Sequence, residues 1–315
     1  MSILRISASS KKYGGNLYED FLDRTYSGDD YETFCPKNHF ENRFISYLTF
    51  PLFYLRLLWV SIINPAVYVI QPLETVLWLN PKKKNIVIFH HFDPSFSNFL
   101  SRLNQRVSFF FLKANKSRIY RIVVVSQYWR EFLIDRGFVN VEVIYNCFDL
   151  ERFSEIERRV VHGQKFSIYI GNGHPKKGCG EVAKALGNLD VKLITTGYSN
   201  YSYPNVENYS LSYMDYLQLL KDVDLVITYS LFKEGWCRTA HEALLVGTPV
   251  VGSGAGGMKE LLSGAGQVSV SSINELREYV AGVICGDILP KEINMNYVRS
   301  YSYSLFAEKW RKLIG

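Results

Sequence analysis

Residues 233–257 read KEGWCRTAHEALLVGTPVVGSGAGG, and this stretch decides how the rest of the chain is interpreted. It opens with the carboxylate Glu234 and carries a second one, Glu242, eight residues later. If the residues between them are mostly helical, a rise of about 12 Å and a rotation of about 80° place both carboxylates near one face. Gly247 suits the residue that follows a helix C-terminus. The stretch therefore predicts a loop, a helix that starts around Trp236, and then a buried strand.

This arrangement suits a ligand that carries both hydroxyl and phosphate groups. Ionised carboxylates only accept hydrogen bonds, so each can hold a pair of sugar hydroxyls. The free N–H groups and the positive dipole end at the start of the helix attract a diphosphate. A structural explanation also exists, because Thr239 and Glu242 have the spacing of a helix-capping box.

The motifs in residues 233–257 and their spacing resemble the signature of retaining GT-B glycosyltransferases of the family-4 type. The shared features are Glu-Gly-aromatic, seven residues between the glutamates, Glu-Ala, Gly-x-Pro-Val-Val and Gly-Gly. The resemblance implies an α/β chain with two Rossmann-like domains that face each other across a cleft. It also implies that Glu234 binds the donor sugar and Glu242 the nucleotide ribose. Backbone N–H groups around Trp236, Cys237 and Arg238 would then face the phosphates.

Residues 168–178 (IYIGNGHPKKG) resemble the opening strand of the family's second domain and its diphosphate-binding loop. Lys177 stands where the family's phosphate-binding lysine would be, with Lys176 beside it. The family usually has an arginine directly after the first glycine, and this chain has Asn172 there. Compensation for that arginine is expected from Lys176 or Arg238. Without the resemblance, a solvated turn would explain the two lysines.

Two features of the first domain extend the resemblance. Gly14 and Gly15 follow the first predicted strand, where the family keeps a glycine pair close to the donor phosphates, although such pairs are common in turns. The strand IVIFHHFD ends in two histidines, and His90 best matches the family's strand-end histidine near the reacting sugar. His91 and Asp93 are candidates for acceptor contacts. The ligand types of this trio would also suit a metal, but the resemblance implies no metal requirement.

Short apolar runs alternate with helical stretches along the chain, which predicts βα units and mostly parallel, buried strands. The predicted strands are residues 3–8, 66–70, 86–89, 122–125, 141–145, 166–170, 191–195, 225–229 and 248–252. The charged stretch 151–164 is predicted to be a linker. We therefore expect an N-terminal acceptor-side domain over residues 1–158 and a nucleotide-sugar-binding domain over residues 159–299. The C-terminal helix, residues 300–315, is expected to pack back on the first domain.

Positive charge is concentrated in one region of the sequence. The 315-residue chain has a net charge of +6, and residues 82–130 hold ten Lys or Arg and one acid. One interpretation is a solvated basic face. The other is a surface for an anionic partner such as a phospholipid or a phosphate-bearing acceptor. The sequence does not decide between them.

Residues 44–63 (FISYLTFPLFYLRLLWVSII) are apolar on nearly every helical face, with Arg56 as the only charge. The length suits a membrane span. Pro51 interrupts the stretch, however, and the flanking βα units leave no topology for a single crossing. A helix buried in the core is favoured over one that dips into a membrane interface.

The five cysteines are scattered, and none forms a CxxC pair, which predicts a reducing compartment. The N-terminal sequence MSILRISASS lacks the pattern of a signal peptide. The expected location is therefore the cytoplasm, with peripheral membrane contact if the basic region binds lipid.

These observations predict a glycosyltransferase that moves a sugar from a nucleotide-sugar to a glycan, lipid or protein acceptor, with retention of configuration and no required metal or cofactor. His90, Lys177 and Glu234 are the predicted catalytic residues, and Lys177 with the helix N–H groups would stabilise the departing diphosphate. No covalent nucleophile is assigned. One alternative is a nucleotide-sugar epimerase of the same fold. Another is a non-enzymatic binder of anionic surfaces or nucleic acid through the basic, aromatic region. Nucleic acid is not expected as a partner, because that alternative gives the two glutamates no role.

Overall fold

The chain forms two compact α/β units in a computed structural model. Residues 1–145 and 304–315 make up the first unit, and residues 146–303 the second. The structure describes residues 2–7, 14–28, 30–35, 50–93, 99–159, 165–197 and 202–315. Each unit contains a six-stranded sheet in which all described strand pairs are parallel. The predicted α/β fold class is confirmed.

The sheet of the first unit has the strand order β2-β1-β3-β4-β5-β6. Its strands are β1 Ile3–Ile6, β2 Tyr31–Phe34, β3 Tyr68–Pro72, β4 Lys84–Phe89, β5 Ile119–Val124 and β6 Val141–Val143. Its helices are α1 Gly14–Tyr26, α2 Phe50–Ile63, α3 Phe99–Ala114 and α4 Gln127–Ile134. Two short 3₁₀ turns, Leu73–Thr75 and Lys116–Arg118, follow β3 and precede β5.

The sheet of the second unit has the order β12-β11-β10-β7-β8-β9. Its strands are β7 Phe166–Tyr169, β8 Val191–Thr196, β9 Val206–Tyr209, β10 Leu225–Thr228, β11 Val250–Gly252 and β12 Val268–Ser269. Its helices are α5 Glu151–Ser154, α6 Cys179–Leu186, α7 Tyr213–Asp222, α8 Arg238–Leu245, α9 Met258–Gly264, α10 Ile273–Cys285 and α11 Met295–Arg299. The last helix, α12 Tyr303–Ile314, contributes residues 304–314 to the first unit.

The boundary between the units falls at residue 146, whereas the charge pattern placed it near residue 158. Residues 146–159 belong to the second unit, because Phe148 bridges to Ser302 and its ring lies 4.2 Å from that of His241. The predicted linker starts with the short helix α5, and residues 160–164 lie outside the described residues. Tertiary contacts that the charge pattern does not encode fix this segment.

Aromatic side chains fill the first unit on both faces of its sheet. On one face, Phe89 packs against Phe109 and Trp129 of α3 and α4. On the other face, Tyr18 of α1 contacts Phe306 and Trp310 of α12 edge to face. Residues 86–89 of β4 are apolar and buried on both sides because helices cover both faces.

A buried cation in β1 fixes helix α1. The guanidinium of Arg5 lies 2.5 Å from the Glu19 carboxylate and 2.6 Å from that of Asp23. Gly14 and Gly15, the predicted phosphate-side pair, form the first turn of this helix. A buried arginine is tolerated here because two carboxylates satisfy its donors.

Helix α2 is only half buried, whereas the sequence favoured complete burial in the core. Leu57 and Ser61 face the sheet, while Leu55, Trp59 and Ile62 are exposed. The sequence did not indicate which side of this helix is exposed, because apolar residues occur on both sides. No helix in the described part of the chain is long and apolar enough to span a membrane. Residues 44–49 of the predicted segment lie outside the described residues.

Removal of the Trp310 side chain should destabilise the first unit. Trp310 is completely buried, so Trp310→Ala should lower the free energy of unfolding by about 3–5 kcal/mol. The exposed Leu305 on the same helix is the matched control, and Leu305→Ala should cost less than about 0.5 kcal/mol. Urea unfolding followed by circular dichroism measures both. Equal losses in the two variants would show that α12 does not stabilise the unit by core packing.

Candidate functional site

The Glu234 carboxylate is buried in the second unit and is paired with a lysine. Lys177 Nζ lies 2.5 Å from Glu234 Oε1, and the Ser230 hydroxyl donates to the same oxygen at 2.5 Å. Glu234 is 6% exposed. Although burial lowers the pKa of Lys177, the Glu234 carboxylate outweighs this effect and raises it above its ordinary value. Lys177 therefore stays protonated at neutral pH. The structure thus brings together Lys177 and Glu234, two of the three predicted catalytic residues.

The loop that follows β11 holds the backbone of Glu234 at very close range. Glu234 N donates to the Ala255 carbonyl at 3.1 Å, and Gly257 N donates to the Glu234 carbonyl at 2.9 Å. Gly256 has φ +68°, and a Cβ there would lie 2.4 Å from the Glu234 carbonyl oxygen. Only glycine fits, both because of the left-handed backbone and because of this close approach. The Gly-Gly of the signature thus has a structural role in placing the carboxylate.

The loop after β7 is a hydrogen-bonded turn that orients Lys177. The Asn172 side-chain oxygen accepts from the His174 backbone N–H at 3.3 Å, and His174 Nδ1 accepts from the Lys176 N–H at 3.1 Å. The Lys176 carbonyl accepts from Leu231 N at 3.0 Å, which joins this turn to the segment that leads to Glu234. Asn172 therefore shapes the loop here.

Helix α8 begins at Arg238, two residues later than predicted. Cys237 is its N-cap, and no side chain within the described residues caps this end of the helix. Glu234 precedes the helix, so the helical geometry assumed from the sequence does not relate the two glutamates.

Burial raises the pKa of the Cys237 thiol to about 12, which keeps it protonated and unreactive. All five cysteines of the chain lie within the described residues, and all are free thiols.

Glu242 lies on α8 inside a network of buried donors. Its carboxylate accepts from the hydroxyls of Tyr213 and Tyr216 at 3.2 Å each and from Arg238 Nη2 at 3.3 Å. Burial raises the pKa of Glu242, and Arg238 and the two tyrosines partly offset this rise. Sequence reasoning missed both tyrosines, since a tyrosine in α7 carries no local signal that it contacts α8.

Arg238 connects Glu242 to the start of the second unit. Its Nη1 donates to the Cys147 carbonyl at 3.3 Å, and its guanidinium lies over the Phe148 ring at 4.3 Å. The Nε atom is buried and has no hydrogen-bond partner among the described residues. The Arg238 Nε–H is therefore a buried donor that the contacts of this side chain with the described residues leave unsatisfied.

His241 is a functional-site residue that the sequence analysis did not identify. It is completely buried, and its Nδ1 accepts from Trp236 Nε1–H at 3.0 Å. Because Nδ1 is the acceptor, the proton lies on Nε2, which donates to the Val298 carbonyl at 2.9 Å. The Trp236 ring also packs on Tyr301 with 5.2 Å between centroids. His241 thereby anchors the indole of Trp236 at the start of α8, so the role of the His241 side chain is structural.

The remaining predicted residues belong to the first unit. His90 directly follows β4, and its ring contacts Tyr18 edge to face with 5.2 Å between centroids. Its Nε2 is buried and has no hydrogen-bond partner among the described residues. His91 and Asp93 follow directly, and no group of metal-ligating side chains occurs in the part of the chain that the structure describes. Lys12 and Tyr13, which precede the glycine pair, lie outside the described residues.

Comparison with known proteins identifies the fold. No protein-family model matches the sequence, and no curated protein sequence matches it. Among solved structures, sucrose-phosphate synthase from Thermosynechococcus elongatus matches with a TM-score of 0.74 and 13% identity, covering 99% of this chain and 98% of that one. Anabaena HepE in complex with UDP-glucose matches with a TM-score of 0.73 and 16% identity, covering 100% and 99%. The lipopolysaccharide outer core galactosyltransferase WaaB matches with a TM-score of 0.66 and 14% identity, covering 100% and 99%.

These similarities span essentially the full length of each chain. They confirm the GT-B fold that the sequence motifs predicted, with two Rossmann-like units. At such low identity, they establish the architecture and do not by themselves assign a substrate.

Acid should destabilise the protein through two buried neutral histidines. Burial lowers the pKa of His241 to about 3, and burial together with His91 lowers that of His90 to about 4. Unfolded histidine titrates near pH ~6.5, so below that pH the unfolded chain binds protons that the folded chain excludes. Stability should therefore be complete above about pH 6.5 and should fall toward pH 4.

Urea midpoints across this pH range test the effect in wild type, His241→Phe and His90→Phe. Each variant should be less stable than wild type at neutral pH and should show a weaker pH dependence in the unit that carries the change. Parallel curves for all three proteins would show that these histidines are not the source of acid sensitivity.

The close approach at Gly256 gives a second prediction. Gly256→Ala should destabilise the second unit more than Gly286→Ala, although both glycines have a positive φ, +68° and +79°. At Gly286 nothing lies within 4 Å of an added Cβ, so only the backbone cost of about 1–2 kcal/mol applies. Thermal unfolding compares the two variants. Equal losses would contradict a steric role for Gly256 in holding Glu234.

Proposed function

We propose that this protein is a glycosyltransferase that binds a nucleotide-sugar on its second unit and transfers the sugar to a glycan, lipid or protein acceptor. The observation that carries the proposal is the buried Lys177–Glu234 pair, whose polar atoms are 2.5 Å apart. A donor phosphate held by Lys177 would leave the adjoining sugar within reach of Glu234. One pair can thus recognise both sides of the bond that is broken.

Lys177 and Glu234 would bind different parts of the nucleotide-sugar because their charges differ. One N–H of the Lys177 ammonium donates to Glu234, which leaves two donors for phosphate oxygens, and the Glu234 carboxylate can also accept from sugar hydroxyls. The uncapped start of α8 adds backbone N–H groups and the positive end of the helix dipole. Lys176 adds a second cation in the same turn, in a loop where the family usually carries an arginine.

Glu242 would bind the ribose of the nucleotide. Ribose hydroxyls can donate to its carboxylate in place of Tyr213 and Tyr216, which can turn to other acceptors. Arg238 would remain paired with Glu242. Its buried Nε–H, which lacks a partner among the described residues, would donate to a phosphate oxygen. Charge-assisted bonds of this kind contribute about 1.5–3 kcal/mol each.

We propose that transfer proceeds with retention of configuration, with the acceptor hydroxyl attacking on the face from which the diphosphate leaves. The bond from the anomeric carbon to the diphosphate oxygen breaks as the bond to the acceptor oxygen forms, and the acceptor proton passes to the departing diphosphate. Lys177 and the α8 N–H groups stabilise the negative charge that develops on the diphosphate. Because these groups supply the positive charge, no metal ion is required in this scheme. His90 is proposed to contact the reacting sugar on the strength of the family resemblance.

UDP-glucose is the first donor to test, since HepE was crystallised with it. A nucleotide-sugar at about one hundred times its dissociation constant should stabilise the protein by about 2.7 kcal/mol. Thermal unfolding with a panel of nucleotides and nucleotide-sugars would reveal the preferred base. Glu242→Ala and Lys177→Met should each reduce the shift, corresponding to an affinity loss of about tenfold to one hundredfold.

The matched controls are Lys184→Met and Glu181→Gln, which change exposed charges on α6. They should leave the ligand-induced shift unchanged. Glu234→Gln should bind the nucleotide alone normally and lose affinity for the nucleotide-sugar. If no nucleotide stabilises the wild-type protein, the donor-binding proposal is wrong. Conversion of a bound nucleotide-sugar without any acceptor would instead indicate an epimerase.

A further inference from the structure

Helices α2 and α3 cover the same face of the first sheet. Val69 packs with Leu57 of α2, and Val87 packs with Phe109 of α3. Val69 pairs with Asn85 in β4, two residues before Val87, so both valines point to one face. The helices are also joined directly, since Tyr54 OH donates to Asn104 Oδ1 at 2.5 Å. Their outer sides therefore face the same direction.

Apart from the exposed Arg56, the outer side of α2 is apolar. Leu52, Leu55, Trp59 and Ile62 recur at helical spacing and are exposed, with Trp59 68% and Leu55 60% accessible. A surface helix of a globular protein normally carries polar residues there. Val67, just beyond the helix, extends this apolar exposure.

The outer side of α3 mixes apolar and basic residues. Leu103, Arg106, Phe110 and Lys113 recur at helical spacing, and all four are exposed. Phe110 is 66% accessible. Neither α2 nor α3 contains an aspartate or glutamate. We name the exposed outer side of these two helices the α2–α3 surface.

More positive charge lies at the C-terminal end of α2. Lys83 Nζ donates to the Asn64 carbonyl just beyond the helix, and Asn80 Nδ2 donates to the Ser61 carbonyl at 2.9 Å. Buried Asn85 donates to the carbonyls of Lys83 at 3.2 Å and Arg118 at 2.9 Å, which gathers these two basic residues. Glu32 is the acid near this end, and it accepts from Asn64 Nδ2 at 2.8 Å.

We infer that the α2–α3 surface docks on an anionic lipid bilayer. Exposed leucine, isoleucine, tryptophan and phenylalanine side chains can enter the interface between headgroups and acyl chains. The surrounding lysines and arginines match the negative surface potential of such a membrane. Large exposed apolar side chains interleaved with cations fit this partner better than a second copy of the chain, because two identical basic surfaces would repel each other.

This inference goes beyond donor binding and does not depend on it. Of the two interpretations of the basic region, a solvated face or a surface for an anionic partner, the second is the one proposed. It also gives the apolar segment an interfacial role, in which it lies on the membrane and does not cross it.

Sedimentation of the full chain with vesicles tests the proposal. The protein should bind vesicles of equal phosphatidylcholine and phosphatidylglycerol, and it should bind phosphatidylcholine alone far more weakly. High salt should reduce the binding, since exposed charges are screened. Leu55→Ser with Trp59→Ser, and separately Arg106→Glu with Lys113→Glu, should each weaken binding about tenfold or more.

Leu289→Ser is the matched apolar control, because Leu289 lies in the second unit and is 83% exposed. Lys184→Glu is the matched charge control, because Lys184 is an exposed residue of α6 in the second unit. Both controls should bind vesicles like wild type, and every variant should keep the wild-type melting temperature and nucleotide-induced shift. Loss of that shift alone would count against the donor site and not against the α2–α3 surface.

Three results would overturn the inference. The first is wild-type protein that does not sediment with the anionic vesicles. The second is unchanged binding by both double variants. The third is a wild-type dimer in solution that Leu55→Ser with Trp59→Ser converts to a monomer, since a second copy would then be the occupant of the surface.

Discussion

A carboxylate removed from water needs a cation or several donors, and the second unit is organised around that requirement at Glu234. Lys177 reaches it from the loop after β7, Ser230 from the segment after β10, and the Gly256 turn from the loop after β11. These loops leave the carboxyl ends of neighbouring parallel strands, where ligands bind in open α/β sheets. The ion pair thus joins these loops and keeps a cation and a hydrogen-bond acceptor side by side.

A second layer of neutral contacts supports this charged centre. His241 holds the Trp236 indole on one side and the Val298 carbonyl on the other, so it joins the start of α8 to the segment around α11. Its burial keeps the ring uncharged at neutral pH, which avoids a further cation beside Arg238. The same burial makes the site sensitive to acid. Precise placement of the α8 N-terminus and a dependence of stability on pH therefore have one physical origin.

The first unit distributes its charge differently. Several cations of the basic region lie against aromatic rings, including Lys84 over Tyr68 and Lys116 over Phe138. Such contacts hold the alkyl stems on the protein while the charges stay near solvent. These cations lie against rings at the surface, whereas Lys177 of the second unit and Arg5 of the first are each paired with carboxylates. One chain thereby uses lysine in two ways, paired with a buried carboxylate at Lys177 and lying over an aromatic ring at Lys84 and Lys116.

The sequence by itself determined the α/β class and the GT-B resemblance, because strand alternation and loop motifs are local patterns. From the same motifs it predicted Lys177, Glu234 and Glu242 as site residues. It could not show that Lys177 pairs with Glu234, since 57 residues separate them and only the sheet order brings their loops together. It placed the start of α8 too early, because Trp236 is held by tertiary contacts with His241. It also could not identify the outer face of α2, since an evenly apolar helix has no polar side to mark it. Packing against β1 and β3 alone decided which of its residues are buried and which reach the surface.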